Sequence, residues 1–116
     1  MPTFSSRLAR EGLVRSVLLL QPRGGNYEAL LDFFKEYDIL GLAVREAGCL
    51  SSEVQVPLSG TGPVMVTALW ESAEAYAGWR NHPARGRFSG DMERLTEPEP
   101  TPVSSGVYSV AIATPG

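Results

Sequence analysis

The sequence has little of what builds a metal or nucleophilic centre. It holds one cysteine, Cys49, and one histidine, His82. A single thiol closes no internal disulfide, and one Cys with one His falls short of a zinc ligand set. No Ser-His-Asp or Cys-His arrangement emerges from the spacing, so Cys49 reads as a small buried apolar residue. Basic excess is also missing. The net charge is -3, Lys35 is the only lysine, and the arginines are dispersed. An electrostatic nucleic-acid binder would carry a basic footprint, so the charge argues against that class. Long apolar runs are absent: Val17–Leu20 is far too short for a signal segment or a membrane span. A cytoplasmic protein is the expectation.

What is there is enough for one core. A chain of 116 residues with 43% apolar side chains is one domain of ordinary globular composition. Met1–Gly12 lacks periodicity and reads as an N-terminal arm, residues 13–113 as the domain, and residues 114–116 as a frayed end. Leu13–Gln21 is a short apolar strand closed by Pro22-Arg23-Gly24-Gly25. The Gly pair carries none of the remaining spacing of a dinucleotide or P-loop motif. Asn26 caps a helix in which Tyr27, Leu30, Leu31, Phe34 and Tyr37 share a face; the spacing predicts that it continues to Glu46, with a bend at Gly41 and a stop at Gly48.

Leu50–Leu58 alternates, with Ser52, Val54, Val56 and Leu58 on one face and Glu53 and Gln55 on the other. Ser59-Gly60-Thr61-Gly62 turns the chain into Pro63–Trp70, whose two faces are both apolar, so the pair predicts a hairpin. Ser72 caps a second helix carrying Tyr76 and Trp79 on one side. His82 stands before Pro83, which disfavours helical geometry and ends the helix. A further helix over 84–95 places Phe88, Met92 and Leu95 on one side. Thr96–Ser105 is a stiff Pro-rich connection, and Gly106–Ala113 a last strand.

The order βαββαβ predicts an α+β, ferredoxin-like antiparallel sheet with helices on one face. The other face, apolar apart from Glu53 and Gln55, calls for a cover, and a second copy across a two-fold axis supplies one. A homodimer with two sheets face to face is therefore expected.

This order, together with Leu69-Trp70-Glu71-Ser72-x-Glu74-Ala75-Tyr76-x-x-Trp79, resembles the antibiotic biosynthesis monooxygenase (ABM) domain of the dimeric α/β-barrel superfamily. Glu46-Ala47-Gly48-Cys49-Leu50 stands where many members carry a Pro-Gly-aromatic turn. The resemblance implies a cofactor-independent monooxygenase that oxidises a small aromatic, quinol or anthrone-like substrate with O2. It also implies an apolar cavity between sheet and helices, near Trp70, Tyr76 and Trp79. The sequence departs from two branches. The haem-degrading branch has an axial His ten residues beyond its second Trp, where this chain has Ser89, and an Asn on the first strand, where it has none. The anthrone-oxidising branch has an Asn four residues before its first Trp, where this chain has Val66.

Cofactor-free oxygenation needs a dry pocket, help with deprotonation and a cation to steady the anion. His82 and Tyr76 are the candidate acid–base residues. Trp79, Trp70, Phe88, Met92 and Arg87 are the candidate substrate contacts. Each has a plainer reading: His82 as a helix cap, the aromatics and Met92 as core, Arg87 as a solvated flank. A non-catalytic ligand-binding or structural dimer of the same fold is the alternative. No metal, flavin or other cofactor is called for.

Overall fold

The computed structural model describes residues 12–98 and 105–114. The expected arm before Gly12, the middle of the Pro-rich connection (99–104) and the last two residues lie outside the described residues. The elements are β1 (Val14–Leu20), α1 (Tyr27–Glu36), α2 (Ile39–Glu46), β2 (Cys49–Gln55), β3 (Val64–Trp70), α3 (Ala73–Arg80), α4 (Pro83–Leu95) and β4 (Ser105–Ser109), with a 3-10 turn at Arg23–Gly25. The strands form one antiparallel sheet in the order β2-β3-β1-β4. This is the expected α+β, ferredoxin-like plan.

The β1–β3 register explains the apolar run of the first strand. Val14, Leu18 and Leu20 lie opposite Trp70, Val66 and Val64, and Ser16 opposite Ala68. All eight share the face on which the helices pack, where Leu30, Phe33 and Phe34 of α1 and Ile39 and Ala43 of α2 are buried. The opposite face carries Arg15, Val17 and Leu19 from β1, Met65, Thr67 and Leu69 from β3, and Ser51, Glu53 and Gln55 from β2, since side chains alternate across a strand. It is more polar than expected.

The single helix expected over 26–46 is two. Asn26 does cap α1, its side chain accepting from the Ala29 N–H at 3.0 Å. The break falls at Asp38, which sits at φ 50, a left-handed conformation that Asp tolerates better than most residues. The turn redirects the chain so that α2 lies against β2. Gly41 does not bend the helix. It makes room, since a Cβ there would stand 2.5 Å from the Asp38 carboxylate, which pairs with Arg45 at 2.9 Å.

Two strands are shorter than their sequence patterns. β2 stops at Gln55, leaving Val56 and Leu58 exposed, because the Pro57 carbonyl turns the chain by accepting from the Gly60 N–H at 3.1 Å. β4 ends at Ser109, not Ala113. No helix among the described residues is long and apolar enough to cross a membrane.

Arg23 fastens the two ends of the helical layer. Its guanidinium donates to the Thr96 carbonyl at 2.9 and 2.8 Å and to the Glu93 carbonyl at 2.8 Å. These are orphan acceptors at the α4 C-terminus, which a cation also suits electrostatically. Arg23→Ala should lower the unfolding free energy by about 1.5–3 kcal/mol, the range for charge-assisted bonds. An unchanged urea midpoint would show the clamp to be idle.

Candidate functional site

The site is assembled where β3 feeds α3. Trp70, the last residue of β3, is 2% exposed, and its indole Nε1–H donates to the Ser16 hydroxyl of β1 at 2.9 Å. That bond explains the one polar residue among the inward side chains of β1: a buried indole needs an acceptor. Glu71 then donates its N–H to the Gly48 carbonyl at 3.2 Å. Gly48 holds φ 73, with Ala75 3.1 Å from where a Cβ would stand, so the turn into β2 accepts glycine alone.

Ser72 caps α3 by accepting from the Ala75 N–H at 3.0 Å. The helix turns Tyr76 and Trp79 toward Trp70, with ring centroids at 5.4 and 6.4 Å. Trp79 is buried and Tyr76 half-buried. The Tyr76 hydroxyl has no hydrogen-bond partner among the described residues, unlike those of Tyr27 and Tyr37, which donate to the Gly62 carbonyl and the Asp91 carboxylate. The Arg80 guanidinium lies 5.9 Å from the centre of the Tyr76 ring, and that of Arg85 5.9 Å from Trp79. Three aromatic rings are thus flanked by two cations, favourable for an electron-rich or anionic guest.

His82 closes the group. Its ring lies 5.5 Å from Trp79. As the N-cap of α4, its Nδ1 accepts from the Ala84 N–H at 3.0 Å, while Nε2 lies 2.9 Å from the Glu46 carboxylate at the end of α2. An acceptor at Nδ1 and a carboxylate at Nε2 together assign the neutral ring as the Nε2–H tautomer. Neither nitrogen then offers a lone pair to a substrate. His82→Ala should cost about 1 kcal/mol as a lost cap, and His82→Asn, which keeps a capping oxygen, should recover most of it. Equal losses in thermal unfolding would contradict the capping role.

The remaining sequence-nominated residues lie apart from this group. Phe88 is buried but packs edge-on against Phe33 at 6.4 Å and Tyr37 at 5.4 Å, in a second aromatic cluster with α1. Met92 packs against the core. Arg87 is exposed and has no ion pair among the described residues; the cation beside Trp79 is Arg85. Between α1 and α4 runs an open groove of about 390 Å³, lined by Asp32, Glu36, Tyr37 and Asp91 among others, where Asp91 is engaged by Tyr37 and Arg94. Cys49 is buried, and burial pushes its thiol up from the ordinary range, against a smaller opposing effect of its bond to the Ser51 carbonyl. That fits the inert reading. Among the described residues no three of His, Cys, Asp and Glu gather as metal ligands.

Sequence reasoning missed Ser16, Glu46, Arg80 and Arg85. Ser16 alone carried a signal, as a polar residue in an inward register.

Comparison with known proteins bears on the family and the fold. The family model described as antibiotic biosynthesis monooxygenase matches residues 14–90. No curated protein matches the chain in sequence. Solved structures of the same fold include SnoaB, a cofactor-independent oxygenase from Streptomyces nogalater, at 13% identity and TM-score 0.72, covering 90% of this chain and 98% of that one. Rv0793 from Mycobacterium tuberculosis is similar at 20% identity and TM-score 0.67, covering 83% and 92%. The heme-degrading protein Rv3592 from the same organism is similar at 21% identity and TM-score 0.61, covering 89% and 99%.

Proposed function

The chain belongs to the antibiotic biosynthesis monooxygenase family, and on that premise we propose that it oxidises a small aromatic, quinol- or anthrone-like substrate with O2, without a cofactor, against the wall formed by Trp70, Tyr76 and Trp79. The observation that carries this reading is the Tyr76 hydroxyl, partnerless among the described residues, on a ring set between Trp70 and Arg80. A phenol or enol that reaches the wall at Tyr76, its one ring that is not buried, meets that hydroxyl as its acid–base contact, while Arg80 and Arg85 favour the substrate anion. The anion gives an electron to O2, and the two radicals combine into a peroxide. For an anthrone, loss of water then leaves a quinone that keeps one oxygen atom of the O2.

His82 enters the chemistry only if a substrate displaces Glu46 from Nε2; otherwise its ring positions Trp79. Phe88, Met92 and Arg87 take no part in this reading. The working unit is a homodimer, its sheets packed face to face through the side that the helices leave uncovered.

A second reading, a non-catalytic ligand-binding dimer, draws on one observation. The polar groups of Ser16 and His82 are already engaged within the chain. An oxygen electrode separates the two. The oxygenase reading expects anthrone or a hydroquinone to drive O2 uptake well above the buffer rate. Saturable binding without uptake would leave only the second reading.

A further inference from the structure

The uncovered sheet face holds two opposite charges that do not meet within the chain. Arg15 of β1 is level with Leu69 of β3 and Ser51 of β2; Glu53 of β2 is level with Thr67 of β3 and Val17 of β1. The two are therefore two strands apart sideways and two residues apart along the sheet, roughly 12 Å between Cα atoms. Neither has an ion pair among the described residues. Among the described residues the Glu53 carboxylate accepts only from the Gln55 amide, at 2.6 Å, and the enclosed Gln55 Oε1 beside it has no partner. The polar strip is incomplete in the single chain.

Around these charges the two central strands carry Val17, Leu19, Met65 and Leu69 on this face, with Thr67 the one other polar side chain there. A guanidinium buried among them without a partner would oppose any association. A two-fold axis removes the problem. Placed in the plane between two facing sheets, perpendicular to the Arg15–Glu53 line and over its midpoint, it passes over β3 between Thr67 and Leu69. It then sets Arg15 of each copy opposite Glu53 of the other, as an isologous interface requires.

We propose that Arg15 and Glu53 form two symmetry-related ion pairs across the face-to-face dimer and fix the register in which the two sheets meet. The inference rests on the dimer reading and goes beyond it, because it names the contact that selects one packing among many. The occupant is a second copy of this chain, since one positive and one negative site on a single face complement themselves.

The test is a charge swap read by analytical ultracentrifugation. Arg15→Glu and Glu53→Arg should each raise the dimer dissociation constant at least about tenfold, because each places like charges together twice. Mixed one to one, the two variants should form a heterodimer about as tight as the wild type, both pairs being attractive again. The double variant should likewise dimerise, and circular dichroism confirms that each variant is folded. Single variants that dimerise as the wild type does, or a mixture no tighter than its components, would overturn the pairing while the dimer stands. A wild-type protein that stays monomeric at micromolar concentration would overturn the dimer itself.

Discussion

Trp70→Ala should cost about 3–5 kcal/mol of stability, the range for removing a large buried aromatic. Trp70 is 2% exposed; it ends the central strand and supports both Tyr76 and Trp79. Its loss also strands the Ser16 hydroxyl, whose partner is the indole N–H. For a domain of this size that is a large share of the total. Trp70→Phe separates the two contributions. It keeps an aromatic ring on the wall and should lose markedly less, with roughly 1 kcal/mol assignable to the hydrogen bond. Urea unfolding followed by far-ultraviolet circular dichroism reads both. A Trp70→Ala loss under about 1 kcal/mol would mean that the site is not built on this residue.

Tyr76→Phe should lower substrate-driven O2 uptake about 100-fold or more, the usual loss for an acid–base contact, while unfolding hardly differs from wild type. The ring and its packing on Trp70 survive this change; only a hydroxyl with no partner among the described residues goes. A phenylalanine variant that turns over normally would remove Tyr76 from the chemistry and return attention to His82. The Glu46→Gln variant is informative beside it. If His82 acts only as a cap and a positioner, turnover there should change little.

The fold was largely legible because its signals are local. Period-two alternation in β2, apolar crowding in β1 and β3, and side-chain caps at Asn26 and Ser72 all act within a few residues. What failed depended on distant contacts. Nothing in the spacing between Tyr27 and Glu46 shows that the helix must turn at Asp38 to lie against β2. The uncovered face looked apolar because Arg15, Ser51 and Thr67 join Glu53 and Gln55 only once three strands are in register.

The site divides the same way. Tyr76 and Trp79 share a face as their spacing implied, and both lie against Trp70, which only the family resemblance had set beside them. Arg85 and Arg87 could not be told apart, since they flank the inward stripe of Ala84 and Phe88 on opposite sides. Only the packing of α3 beside α4 brings one of them to Trp79. The state of His82 was equally hidden, because its partner Glu46 lies 36 residues away.

The claim that this aromatic wall is the substrate surface has one direct measurement. Both tryptophans of the chain lie in it, so their emission reports on a guest. A non-reacting quinone product titrated into the protein should quench the emission saturably, and Tyr76→Phe should weaken the apparent affinity. Saturable turnover with an unquenched emission would place the substrate elsewhere and contradict the account.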